Sequence, residues 1–328
     1  MKKITPFWIA ILLVIGSASF GQAQDLKKVA QTGLQFLKVD LTARPAAMGG
    51  AYIMVGNDAS AMFYNPAGMA HMTARTDFFV TRTNWIADIA YTAGAVSRDL
   101  GNFGTLGVNF ISCDYGEIIG TQVASSASGF EETGNVDVSA YAFGVSYARG
   151  LSDKFSVGGQ IKYASQHLGE STFSDGETVT NKVGGLAYDF GTIFYPGFKS
   201  FRLGMSVRNF SQQFKYAEEG FQLPLTFRIG FAMDMLDLLG DHENSLVLAL
   251  DAIHPRDYTE RIHVGGEFWW RNLLALRAGY KTNYDEQSFS LGFGFQQSFG
   301  ATKLKIDYSY SAMERFSYIN RFTFGAAF

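Results

Sequence analysis

The residue types that most often carry chemistry are sparse in this 328-residue chain, and their spacing does not suit catalysis. The histidines fall at 71, 167, 242, 254 and 263. None has companions at metal-ligand spacing. His263 and Glu267 would share one face of a strand, but two strand repeats hold them roughly 13 Å apart, so a polar ladder is the simpler reading. No GxSxG, HExxH, P-loop or dinucleotide fingerprint is present. Cys113 is the only cysteine, which excludes an intrachain disulfide. A lone thiol in an exported chain can be reactive, but here it reads as one small residue on a strand. Asn209-Phe210-Ser211 is a formal sequon and is given no weight. The expectation is a non-enzyme with no cofactor and no metal. The formal net charge of −3 leaves no electrostatic footprint for nucleic acid.

The charges that do form a pattern are Arg202, Arg228, Glu267, Arg277, Lys305, Asp307 and Arg321. Each falls opposite the apolar residues of an alternating stretch. Gly204, Gly230, Gly265, Gly279, Gly292 and Gly294 fall on that same polar face. Their chemistry is ion pairing, and the glycines leave room for other backbone to lie against them. What must position them is a series of strands. Phe289, Leu291, Phe293 and Phe295 alternate with Ser290, Gly292, Gly294 and Gln296, and Leu225 to Asp234 and Lys303 to Tyr310 alternate likewise. A period of two puts each set on one side of a sheet.

Such segments run through 76–84, 88–98, 103–117, 135–149, 154–167, 181–195, 201–212, 222–234, 244–254, 260–271, 273–282, 287–299, 302–312 and 315–328. Each is about ten residues long, enough for a tilted strand to cross a bilayer, and about fourteen strands is an even number, as bacterial single-chain barrels require. A soluble sandwich would also alternate. The connections discriminate: 118–134, 168–180, 213–221 and 283–286 read as outside loops, whereas 150–153, 196–200, 271–272 and 300–301 read as short inside turns. Two depart from the rule, a long inside turn at 236–243 and a short outside loop at 85–87. Trp85, Trp269, Trp270, Tyr195 and Tyr280 lie near strand ends and are candidates for interfacial girdles, with ordinary packing the alternative for each. Phe322, Phe324, Ala326 and the terminal Phe328 share one face, similar to the signal read by the bacterial barrel-insertion machinery.

The N-terminus has the three-part layout of a secretory signal peptide: Lys2 and Lys3, an apolar run from Phe7 to Ile15, then small residues through Gly21 and Ala23. The run is too short for a spanning helix, which needs roughly 20 apolar residues. The expected organisation is a signal peptide over 1–23, a non-alternating segment over 24–75 and a transmembrane barrel over 76–328. The fold class is therefore an all-β outer-membrane protein in contact with outer-membrane lipid.

The non-alternating segment contains Arg44-Pro45-Ala46-Ala47-Met48-Gly49-Gly50-Ala51, then Asn57-Asp58-Ala59-Ser60-Ala61, then Asn65-Pro66-Ala67-Gly68-Met69-Ala70. Asp58 is placed to cap a short helix through Phe63, and Pro66 disfavours helical geometry at Asn65, ending it there. This string resembles the hatch signature of the FadL superfamily, closest to its PorV/PorQ group. Pro45 departs from the pattern, where a small residue is expected. The resemblance implies a fourteen-strand barrel with an N-terminal hatch inside its lumen, held by Arg44, Gly49, Gly50, Asp58, Asn65, Pro66, Ala67 and Gly68. It also implies a role in type IX protein secretion or surface attachment, with secretion-system proteins or cargo as partners. The alternative it implies is FadL-like transport of a hydrophobic small molecule such as a long-chain fatty acid. Arg44 lies among small residues, so it is expected to pair with a lumen carboxylate such as Glu267 or Asp307.

Overall fold

The computed structural model describes residues 31–173, 176–216, 219–241 and 243–328. The signal-peptide reading over 1–23 lies outside the described residues. Fourteen strands form one closed antiparallel ring. In chain order they are β1 Thr76–Asn84, β2 Ala90–Asp99, β3 Thr105–Asp114, β4 Val138–Ser152, β5 Phe155–Thr172, β6 Thr178–Phe194 and β7 Arg202–Ser211. They continue as β8 Thr226–Asp234, β9 Ser245–Pro255, β10 Arg261–Trp270, β11 Leu274–Lys281, β12 Gln287–Phe299, β13 Thr302–Met313 and β14 Tyr318–Ala327. Each pairs with its sequence neighbours, and β1 pairs with β14 to close the ring, in register from Asp77 opposite Ala327 to Asn84 opposite Asn320. Thr76 and Phe328 exchange backbone hydrogen bonds of 2.7 and 2.9 Å at the end of this seam.

The alternation resolves the choice between barrel and sandwich. Phe143, Val145, Ile161, Phe190, Leu276 and Phe293 all point outward and are more than half exposed. Arg321, Ser309, Asp251 and Glu267 point inward and are buried. A soluble domain does not expose a contiguous apolar belt of this kind. In a bilayer that belt is the lipid face, and the ring spares every spanning backbone group an unpaired edge.

The connections at one end are tight for local reasons. Arg271 and Asn272 both have positive φ, 49° and 52°, the mirror-image turn whose twist matches paired strands. Gly300, with φ 60°, serves the β12–β13 turn. At the opposite end the sequence reading needs correction. Residues 118–134 are not a loose loop but a separate hairpin, Ile119–Val123 paired with Phe130–Asn135. Residues 168–180 are mostly strand, because β5 and β6 keep pairing to Thr172 and Thr178. The segment expected from 222 begins only at Thr226, and Phe214–Lys215 pairs instead with Gly220–Phe221.

Three of the five girdle candidates are also misplaced. Trp85, Tyr195 and Trp269 share the inward parity of their strands. Trp85 packs edge-on against Tyr91, Tyr195 lies 5.1 Å from the His71 ring, and Trp269 lies beneath the Arg277 guanidinium. Trp270 and Tyr280 face outward, 45% and 53% exposed.

Candidate functional site

The interior of the ring is occupied by residues 32–72. They contribute most of the fully buried large side chains of the molecule, including Tyr52, Met48, Met62 and Met69. Regular structure here is short: Ala43–Ala47 forms one α-helical turn, and Ala59–Phe63 and Pro66–His71 are 3₁₀ turns. Asp58 caps the first 3₁₀ turn, accepting from the Ser60 N–H at 2.9 Å. Asn65 does not simply end it. Its Oδ1 accepts from Ala67 N–H at 3.1 Å and caps a second turn with Pro66 in first position, where a missing N–H costs nothing. Its Nδ2 donates to the Ile53 and Thr192 carbonyls at 3.0 and 3.2 Å, so Asn65 ties segment to wall.

Wall glycines make the close approach possible. A side chain at Gly279 would strike the Met48–Gly49 backbone, one at Gly265 the Met48 carbonyl, and one at Gly158 the Pro66–Ala67 backbone. Gly230 faces Ile53, Gly204 faces Met54, and Gly292 faces Ala47. Gly294 instead faces Asp307 and Arg277. Within the segment, Gly49 and Gly50 have φ of +62° and +77°, and Gly68 sits against the Gly56 carbonyl.

A chain with so little regular structure leaves many backbone groups without internal partners, and buried groups of that kind must be satisfied elsewhere. Wall side chains do so. Arg321 Nε donates to the Asp40 carbonyl at 2.7 Å, Arg228 to the Gly50 carbonyl at 3.2 Å, Arg208 to the Leu37 carbonyl at 3.3 Å, and Arg202 to the Met54 carbonyl. Asp251 accepts from the Tyr52 and Ile53 N–H groups at 2.9 and 3.2 Å, and Asp77 accepts from Ala59 N–H at 3.0 Å.

Near the short-turn end a charge network joins segment to wall. Arg44 donates twice to Glu267, at 2.7 and 2.8 Å. Arg277 donates to Glu267 and to Asp307, each at 2.6 Å. Lys305 bonds Asp77 and lies 3.7 Å from Asp58, which Arg44 approaches at 3.3 Å. Of the two carboxylates expected for Arg44, Glu267 takes it, and Asp307 is committed to Arg277. These groups line a cavity of about 690 Å³ together with Arg202, Lys303 and Trp269. At the long-loop end Asp257 accepts from Thr32, Gln35 and Lys38 at 2.7, 3.2 and 2.9 Å. Beside it the Arg261 guanidinium lies between the Tyr258 and Tyr284 rings, at 4.2 and 3.8 Å. The segment thus threads the ring from the long-loop end to the short-turn end.

Sequence reasoning missed Asp40, which bonds Lys281 at 2.7 Å, and the Lys162–Asp189 pair, also at 2.7 Å. Strand parity alone would have found Lys162 and Asp251, because both stand opposite outward apolar neighbours. His263 bonds Tyr284 at 2.9 Å, and Cys113 is buried and unpaired in any disulfide. Among the described residues no group of three or more His, Cys, Asp or Glu side chains is arranged to hold a metal ion.

An apolar exterior, a closed ring and a charged, packed interior define the class as an outer-membrane β-barrel. Its fold is similar to the Ralstonia pickettii toluene transporter TbuX, at 13% identity and a TM-score of 0.56, covering 88% of this chain and 98% of that one. It is likewise similar to a Pseudomonas aeruginosa FadL homologue (12%, 0.54, 88% and 98%) and to the CymD monoaromatic hydrocarbon channel (12%, 0.58, 88% and 97%). Among curated proteins none matches the chain by sequence. The family model described as type IX secretion system protein PorV matches residues 22–253. The chain belongs to the PorV family.

Proposed function

We propose that this protein is a non-enzymatic accessory of type IX protein secretion or surface attachment. Residues 24–75 act as a hatch that keeps the barrel closed, and loops at the long-connection end face the cell exterior and bind secretion-system proteins or cargo. The observation that carries this reading is where the uncommitted apolar surface lies. The cavity inside the barrel is lined by Arg44, Asp58, Glu267, Arg277, Lys305 and Asp307. A hydrocarbon would gain little there and would strip water from charges at a cost. Large apolar side chains stand free instead on the hairpin beyond the barrel rim, with Val123 95% exposed and Ile119 and Phe130 about half exposed. Membership of the PorV family supports the same reading.

The test replaces residues 117–135 by a short Gly-Ser linker in the native host. The expected outcome is normal heat-modifiable barrel in the outer membrane with loss of cargo from the cell surface, scored by immunostaining of intact cells. Undiminished surface cargo together with impaired uptake of radiolabelled fatty acid or toluene would overturn the proposal in favour of hydrophobic transport.

A further inference from the structure

We propose that the hairpin Ile119–Val123/Phe130–Asn135 is an acceptor for an extended cationic polypeptide segment, which adds to it as a third strand. The inference rests on the partner-binding reading above and supplies the chemistry of the partner. Three observations carry it. First, the two strands pair only with each other among the described residues, so each outer edge presents ladder N–H and C=O groups with no strand beyond it. Such an edge is a template for another chain.

Second, neither face of the ribbon is covered. Every residue from Phe130 to Asn135 is exposed, as are Ile119, Thr121, Gln122 and Val123. A lone two-stranded hairpin is marginal in water, and a third strand is what ordinarily makes such a unit stable. The register places Val123 opposite Phe130 and Thr121 opposite Glu132, all on one face, while Gln122 opposite Glu131 lies on the other. An added strand would set an apolar residue beside the Val123–Phe130 pair.

Third, the charge is of one sign. Residues 117–137 carry Glu117, Glu131, Glu132 and Asp137 and no Lys, Arg or His. The neighbouring tip 168–180 carries Glu170, Asp175 and Glu177 and again no cation. The two adjoin at their bases, with Val138 paired to Leu168 and Asp137 3.6 Å from His167, near the end of β5. Like charges directly opposite are unfavourable across a strand pair, which disfavours a second copy of this hairpin as the occupant. The fitting partner has Lys or Arg one or two residues from its apolar contact, facing Glu131 or Glu132.

The experiment uses the full chain in lipid nanodiscs and a fluorescent peptide of alternating valine and lysine. Fluorescence anisotropy should show binding at low ionic strength that collapses at about 1 M salt, where screening reaches only a few ångströms. E131Q/E132Q should weaken binding about fivefold, the effect of a modest pair of surface charges, and a valine–glutamate peptide should not bind. A lysine peptide N-methylated on alternate residues cannot complete the edge ladder and should bind weakly. Equal binding of the methylated peptide overturns strand addition, and equal binding of the glutamate peptide or of E131Q/E132Q overturns the charge selection. Either failure would leave the surface-cargo result above untouched, so the two readings fail separately.

Discussion

Arg44 shows how a single side chain couples the segment to the wall. Its guanidinium makes two hydrogen bonds to Glu267. Removing one partner of a buried ion pair typically costs about 3–5 kcal/mol because the other charge is stranded. Here Glu267 keeps Arg277 at 2.6 Å, so Arg44→Ala should cost nearer the ~1.5–3 kcal/mol of a hydrogen bond to a charged group. That should loosen the segment and leave the wall intact. In planar bilayers the wild type should be nearly silent and Arg44→Ala should conduct more, with unchanged heat-modifiable migration. Equal conductance would remove Arg44 as an anchor, and a large steady current in the wild type would remove the closed hatch itself. Arg44 and Glu267 were legible in the sequence because a charge among small residues, or opposite an apolar face, needs a partner. Asp40 and Asp77 were not. Asp40 lies outside any periodic segment, and the role of Asp77 is to satisfy the Ala59 amide and Lys305, which depends on a fold the local pattern does not encode.

At the scale of elements, period-two alternation located all fourteen strands, because one face must meet lipid and the other a polar interior. It failed where that constraint lapses. The hairpin at Ile119–Asn135 is wet on both faces, so its strands carry no alternation to read. The ends of β5 and β6 continue as strand beyond the apolar belt for the same reason. Trp85, Tyr195 and Trp269 are girdle candidates from their place near strand ends, yet parity puts each inside, where ordinary packing is the reading that holds. There Arg321 lies over Trp85 at 5.8 Å and Arg277 over Trp269 at 5.3 Å, so these rings cover cations. Topology remains directly measurable. An epitope inserted at Ser126, in the turn of the hairpin, should stain on intact cells. Staining that requires outer-membrane permeabilisation would invert the proposed orientation.

For the molecule as a whole, the decisive feature is the seam between its first and last strands. Phe328 exchanges two backbone hydrogen bonds with Thr76 and lies near the Phe78 ring, and the residue is 51% exposed. Deleting Phe328 removes both the ring and the last rung, whereas Phe328→Ala removes only the ring. If the ring is read by the insertion machinery, both variants should lower the yield of folded barrel in membranes. Normal yield of Phe328→Ala would reduce the residue to its backbone contribution. The seam also sets an order of events in time. Residues 31–72 are synthesised before any wall strand, but their partners are spread over strands from β1 to β14. No ring exists to receive them until β14 has been made and paired with β1. Contacts between such distant parts of a chain form late, and a Met- and aromatic-rich stretch left waiting in the periplasm is prone to aggregate. Residues 31–72 are therefore made before the wall and are the last to leave water, so the wall must wrap around them and not be threaded afterwards.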